Sequence, residues 1–352
     1  MKLQTHHFEL PLKHPFRISR ETITVQPTVV VELQADGCQG FGEATTNAYY
    51  GITLDKLLSD VERVRETLAT HSATDPEALW QKLSTQLPDN PFALCAIDQA
   101  AHDLSAKLHG VPLYRHWGLD PRDCPASNFT IGIDEIDRMV AKMQEMPGWP
   151  IYKIKLGTDR DLDIIRALRE HTSAIFRVDA NCGWTAAETI ANAEALSSLG
   201  VEFIEQPLPA ADHDGQRQVF AESVLPIIAD ESCIVEQDVE PCSDRYHGIN
   251  IKLTKCGGLT PARRMIEQAR QLGLKVMVGC MTESTVGISA IAQLLPLLDY
   301  VDMDGAALLG RDIASGVRVI NGICHFAEEN GTGAKLLPDA DQLVPATDRP
   351  SI

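Results

Sequence analysis

Within residues 176–232, the segments FRVDAN (176–181), VEFIEQP (201–207) and PIIADES (226–232) are short apolar runs that end in Asp179, Glu205 and Asp230. The three carboxylates recur at about the period of one β/α unit of a parallel barrel, which sets them side by side on neighbouring strands. Three hard oxygen ligands at the C-terminal mouth of a barrel suit Mg²⁺ better than Zn²⁺, because no His or Cys accompanies them. The spacing therefore points to a metal-dependent enzyme.

One unit earlier stands KIKLG (153–157), with Lys153 and Lys155, and one unit later NIKLTK (250–255), with Lys252. Side chains alternate along a strand, so Lys153 and Lys155 share a face. In a closed barrel, lysines from opposite flanks of the acids look at a bound metal complex from two sides. Two such bases can remove a proton from one face of a carbon and return it to the other.

Moving outward, eight candidate strands appear from about residue 126: NFTIGID, YKIKLG, FRVDAN, VEFIEQP, PIIADES, GINIKLTK, KVMVGCM and YVDMDG. Amphipathic stretches such as DLDIIRALREH and TAAETIANAEALSSLG lie between them. Alternating strands and helices with polar residues at the strand ends predict an α/β barrel. The rival, an open doubly wound sheet, lacks a GxGxxG or Walker loop after any strand. Residues 1–125 read differently, as three strands (KLQTHHFEL, TVVVELQA, CQGFGEATT) followed by helices, an α+β cap. The expected division is a cap over 1–125 and a barrel over 126–320, with the Pro- and Asp-rich tail 321–352 packing back on the cap.

The net charge of −18 argues against a nucleic-acid or anionic-membrane surface, and no apolar run reaches the length of a membrane span. MKLQTHHFEL lacks the apolar core of a signal peptide, so the expected compartment is the cytoplasm. The nine cysteines form no CxxC pair, which suggests reduced thiols and no structural zinc. His6 and His7 are adjacent on a strand and point to opposite faces, so they do not form a metal pair.

These motifs together resemble the enolase superfamily, and within it the muconate-lactonizing subgroup. The resemblance spans nearly the whole chain and implies a modified (β/α)7β barrel under an α+β cap, with one Mg²⁺ per subunit. Mandelate-racemase relatives carry a His base on strand seven, and KVMVGCMTES (275–284) has none. A finer likeness is to the dipeptide epimerases of the L-Ala-D/L-Glu type. It implies that Lys155 and Lys252 are the two bases, with Lys153 a second cation against the substrate carboxylate. Lys252 is chosen because it directly follows the NI of the motif, and Lys255, three positions on, is expected to face away. By the same likeness Asp302 and Asp304 of DMDG bind an α-ammonium, Thr130 of TIGI lines the substrate site, and Arg20 of PFRISR reads an acidic side chain, with Arg17 as the alternative.

The implied activity is 1,1-proton transfer at the Cα of a dipeptide's C-terminal residue through an enediolate, with L-Ala-L-Glu or a related dipeptide as substrate. A cycloisomerase or o-succinylbenzoate synthase is the alternative enzyme, and an inert barrel used for binding the non-enzymatic one. Barrels of this type often associate, so a homo-oligomer is also expected.

Overall fold

In a computed structural model that describes residues 1–18 and 21–344, the first three strands form an antiparallel meander of β1 (Lys2–Arg17), β2 (Thr22–Ala35) and β3 (Cys38–Thr45). Asp36 and Gly37, both at positive φ (48° and 78°), make the two-residue turn between β2 and β3. Such a turn matches the twist of paired strands.

Five helices follow: α1 (Leu54–Arg63), α2 (Arg65–Thr70), α3 (Pro76–Ser84), α4 (Pro91–Leu108) and α5 (Leu113–His116). The side chains of Thr53, Asp75 and Asn90 accept from backbone N–H groups at the starts of α1, α3 and α4, and Pro76 and Pro91 occupy first-turn positions. Each such cap contributes about 1 kcal/mol. Helix α4 is buried on nearly every side. Gly40 and Gly42 let β3 lie directly on it, since a Cβ at either would run into the α4 backbone at Ala100 and Ala96.

Beyond residue 125, short buried strands alternate with helices: β4 (Phe129–Ile131), α6 (Ile136–Glu145), β5 (Ile151–Lys155), α7 (Asp161–Arg169), β6 (Ile175–Asp179), α8 (Ala186–Ser198), β7 (Val201–Glu205), α9 (His213–Glu222) and β8 (Ile227–Ala229). The series continues through α10 (Val239–Cys242), β9 (Gly248–Lys252), α11 (Leu253–Cys256), α12 (Leu259–Gln271), β10 (Lys275–Gly279), α13 (Thr285–Ala292) and β11 (Tyr300–Asp302). Strands β4 to β11 pair in chain order as one parallel sheet. Its ends meet through a bridge between Ser127 and Val301, and Asn128 Nδ2 donates to Asp302 Oδ1 at 2.7 Å across the same seam. The eight strands thus form the expected barrel, with Ile154, Val178, Ile204, Ile251 and Val278 fully buried in its main core.

Carboxylates of α4 tie the cap to the barrel and to the tail. Asp98 accepts from Thr260 N and Oγ1 (2.8 and 2.7 Å), and Asp103 from Phe41 N and Thr332 N (2.8 and 2.7 Å). Leu336, Leu343 and Val344 pack against a cluster containing Phe8, Leu10 and Val30 of the cap sheet. All nine cysteines are free thiols. No helix among the described residues is long and apolar enough to cross a membrane.

Candidate active site

Strand register builds the site in two layers. Lys155, Asp179 and Glu205 are register partners across β5, β6 and β7, while Lys252, Gly279 and Asp302 are partners across β9, β10 and β11. With β6, β7 and β8 between them in a ring of eight, β5 and β9 form opposite walls. Lys153, Lys155, Asp230, Lys252, Asp302, Asp304 and Thr130 all line one cavity of about 850 Å³ empty volume, open at the mouth. Asp179 and Glu205 lie beneath it, fully buried.

Each lysine meets a carboxylate. Lys155 Nζ donates to Asp179 Oδ2 at 2.6 Å, and Lys252 Nζ to Asp230 Oδ2 at 2.9 Å. Lys153 Nζ stands between Asp302 (2.9 Å), Glu205 (2.8 Å) and Asp179 (3.2 Å). Burial works to lower the pKa of Lys153 and of Lys252, but the facing acids outweigh it, and both are pushed above the ordinary lysine value. Carboxylates, more than the neighbouring positive charges, thus set the state of these two lysines.

Among the acids, burial raises Asp179 and Asp230, and the lysines more than offset it, so both fall below the usual carboxylate range. Burial and the charge of Asp179 push Glu205 up to about 7. Burial and the nearby Asp302 push Asp304 up to about 8. Asp302 goes the other way, because Lys153 outweighs its burial.

The acid trio fits a hard cation. Oxygens of Asp179, Glu205 and Asp230 come within 4.8 Å of one another. Glu205 Oε2 is buried and accepts no hydrogen bond, although it forms an ion pair with Lys153. Its other oxygen accepts from Asn250 Nδ2 at 2.9 Å. A Cβ on Gly279 would come 2.7 Å from the Asn250 side chain, so that glycine leaves room for the residue that aims Glu205. An all-oxygen donor set of this kind suits Mg²⁺.

Lys255 differs from expectation. It is buried and donates to Asp230 Oδ1 and to the Asp230 backbone oxygen, each at 2.6 Å. Alternation does not apply past Lys252, where β9 ends and α11 begins, and one helical turn brings Lys255 back to the acids. Asp304 likewise lies beyond the end of β11, where it starts a short 3₁₀ turn, and its Oδ2 accepts from Thr130 N at 2.5 Å. Arg20 lies outside the described residues. Arg17 meets the barrel through its backbone oxygen, which accepts from Ile133 N at 2.9 Å. Sequence reasoning missed Asn250 and Asn128. Asn250 stands two positions before Lys252, and strand alternation could have found it.

Comparison with known proteins follows the same two-part organisation. Residues 2–118 match the sequence model of the mandelate racemase / muconate lactonizing enzyme N-terminal domain, and residues 135–340 that of the enolase C-terminal domain-like family. A relative from Flavobacterium johnsoniae, an L-Ala-D/L-amino acid epimerase, is 55% identical over 96% of this chain and 100% of its own length. The substrate-liganded L-Ala-D/L-Glu epimerase of Bacillus subtilis superposes with a TM-score of 0.90 at 27% identity, covering 95% of this chain and 99% of that one. The dipeptide epimerase of Methylococcus capsulatus, solved with Mg and the dipeptide L-Arg-D-Lys, superposes with a TM-score of 0.88 at 32% identity, covering 95% of this chain and 99% of that one. Matched over both its cap and its barrel, the chain belongs to the mandelate racemase / muconate lactonizing enzyme family of the enolase superfamily.

Proposed function

We propose that this protein is a dipeptide epimerase, an isomerase that inverts the Cα of the C-terminal residue. The observation that carries this reading is the placement of Lys155 and Lys252 on opposite walls of one cavity, with the acid trio between them. The names of its relatives support the same substrate class.

The α-proton of a carboxylate is weakly acidic, because its loss creates a second negative charge on the same group. Asp179, Glu205 and Asp230 would hold one Mg²⁺ per subunit, whose divalent charge would offset it, the general pattern of enolase-superfamily sites. Lys153, buried beside the trio, adds a fixed cation. Lys155, as the free amine, takes the Cα proton on one face; Lys252, as the ammonium, delivers a proton to the other. The opposite epimer uses the same pair in reversed roles, for which Lys252 must give up its proton; a divalent cation on Asp230 would favour this by cancelling the carboxylate charge that holds the ammonium. Asp302 and Asp304 hold the dipeptide's ammonium and so fix which carbon lies between the lysines. A bound ammonium would favour the ionised form of Asp304, and a dianionic substrate such as muconate offers the pair no such cation, which disfavours the cycloisomerase alternative. Among the described residues that line the cavity there is no arginine, and the expectation for Arg20 lies outside them.

Proton NMR of L-Ala-L-Ala and L-Ala-L-Glu in D₂O with Mg²⁺ tests the reading. The C-terminal Cα–H signal should disappear as the epimer grows. Retention of that signal for every dipeptide offered would reject it.

A further inference from the structure

Arg177 is a buried cation that the proposed chemistry does not use. It stands on β6 two positions before Asp179, is 2% exposed, and pairs in register with Lys153. Strand alternation therefore puts it on the inner face of the barrel, one layer below Asp179. Phe203 and Tyr300 flank its guanidinium, with ring centroids 5.2 and 5.1 Å away. Nε donates to Glu202 Oε2 at 2.8 Å, and Nη1 to the Val301 backbone oxygen at 3.1 Å and to Asn128 Oδ1 at 3.5 Å. A charge is costly to bury unless it is paired and hydrogen-bonded, and these contacts meet that condition.

Asn128 lies fully buried between Arg177 and Asp302. Its Nδ2 donates to Asp302 Oδ1 at 2.7 Å, while Lys153 Nζ donates to Oδ2 at 2.9 Å. Both oxygens of Asp302 are thus held from the barrel interior. Two positions on, Thr130 N donates to Asp304 Oδ2. Residues 128 and 130 therefore each hold one aspartate of the pair.

The two neighbours of Asn128 decide which way its amide points. A guanidinium offers only donors, and an ionised carboxylate only acceptors. With Oδ1 toward Arg177 and Nδ2 toward Asp302, both demands are met. The flipped amide would set its NH₂ group against the guanidinium and its oxygen against the carboxylate. We propose that Asn128 is a positioning residue that holds Asp302 for the substrate ammonium, and that Arg177 acts through it by fixing the amide. This rests on the epimerase reading and adds to it a support that reaches the site from the barrel interior.

The experiment measures Cα-proton exchange in D₂O with Mg²⁺ for the wild type, Asn128→Ala, Asn128→Asp and Arg177→Met, on whichever of L-Ala-L-Ala and L-Ala-L-Glu the wild type exchanges faster, with urea unfolding of each protein. Asn128→Asp keeps the shape of the side chain and replaces its donor with an acceptor. Arg177→Met keeps an unbranched stem and leaves the amide free to turn. Loss of a hydrogen bond to a charged group should raise KM on the order of tenfold or more in both Asn128 variants. Arg177→Met should show a smaller rise, and in each variant the rise in KM should exceed any fall in kcat. A wild-type KM in Asn128→Asp would show that shape alone matters and overturn the inference. So would a fall in kcat that matches or exceeds the rise in KM, or failure of both Asn128 variants to fold, which would make the residue a structural tie between β4 and β11. A wild-type KM in Arg177→Met would overturn the role given to Arg177. Absence of exchange by the wild type on both dipeptides would overturn the epimerase reading and this inference with it.

Discussion

Lys255 and Asp230 form a buried, two-pronged pair: the ammonium donates to Oδ1 and to the backbone oxygen of the same aspartate, each at 2.6 Å. The remaining oxygen, Oδ2, accepts from Lys252 at 2.9 Å. Asp230 is thus gripped from behind by one lysine and met from the cavity side by another. This fixes its rotamer and divides its charge between a cation held behind the cavity and the one proposed to react.

Lys255→Met should therefore destabilise the protein. Removing one partner of a buried pair leaves an uncompensated charge and costs about 3–5 kcal/mol. Urea unfolding of the metal-free variant should show a clearly lowered midpoint, and titration calorimetry weaker Mg²⁺ binding through a less ordered Asp230. An unchanged midpoint would mean that the pair contributes no net stability.

Lys155→Ala and Lys252→Ala should each abolish epimerisation, because each removes the base proposed for one face. A general base contributes about 10²–10⁴ in rate. The informative readout is α-proton exchange with D₂O, one substrate epimer at a time. Each variant should still exchange the epimer whose proton faces the remaining lysine, and the two variants should show opposite selectivity. Normal turnover of both epimers by either variant would remove that lysine from the mechanism.

Asp304→Asn should impair binding more than chemistry. If the Asp302–Asp304 pair holds the substrate ammonium, loss of one carboxylate removes a charge-assisted hydrogen bond worth about 1.5–3 kcal/mol, or roughly 10- to 150-fold in KM. Steady-state kinetics on L-Ala-L-Ala checks this. A fall in kcat at constant KM would place Asp304 in the proton-transfer step instead.

Much of the site is legible in the sequence. Asp179, Glu205 and Asp230 follow from a β/α period, and Lys153 and Lys155 from strand alternation, because both rules hold inside regular elements. They stop where elements stop. Alternation predicts that Lys255 faces away, but β9 ends at Lys252 and a helical turn follows. A pocket lined by Pro15, Met146 and Ala307 follows no period at all, since it exists only when three segments far apart in the chain are brought together. The tie between Asp98 and Thr260 is of the same kind, spanning 162 positions.

One buried acid next to the cavity lining gives the stability of this protein a direction with pH. Glu283 sits fully buried where the barrel meets the cap. Its Oε1 accepts from Met281 N at 2.9 Å, and its Oε2 is buried without a hydrogen bond. The nearby Glu43, on β3, already accepts from Thr28 Oγ1, Ser284 N and Oγ, and Gly287 N. Burial first, and the charge of Glu43 second, push Glu283 up to about 8 from its ordinary 4.5. The folded protein therefore holds a proton that the unfolded chain has released over that interval, so this contribution is complete below about pH 4.5 and is lost as pH rises through about 8. At 1.36 kcal/mol per pKa unit, the loss is on the order of 3–5 kcal/mol. Glu283→Gln keeps the shape and cannot ionise, so urea midpoints at pH 5.5, 7 and 8.5 should fall more steeply for the wild type than for the variant. Parallel pH profiles would show that Glu283 ionises alike in the folded and unfolded chains.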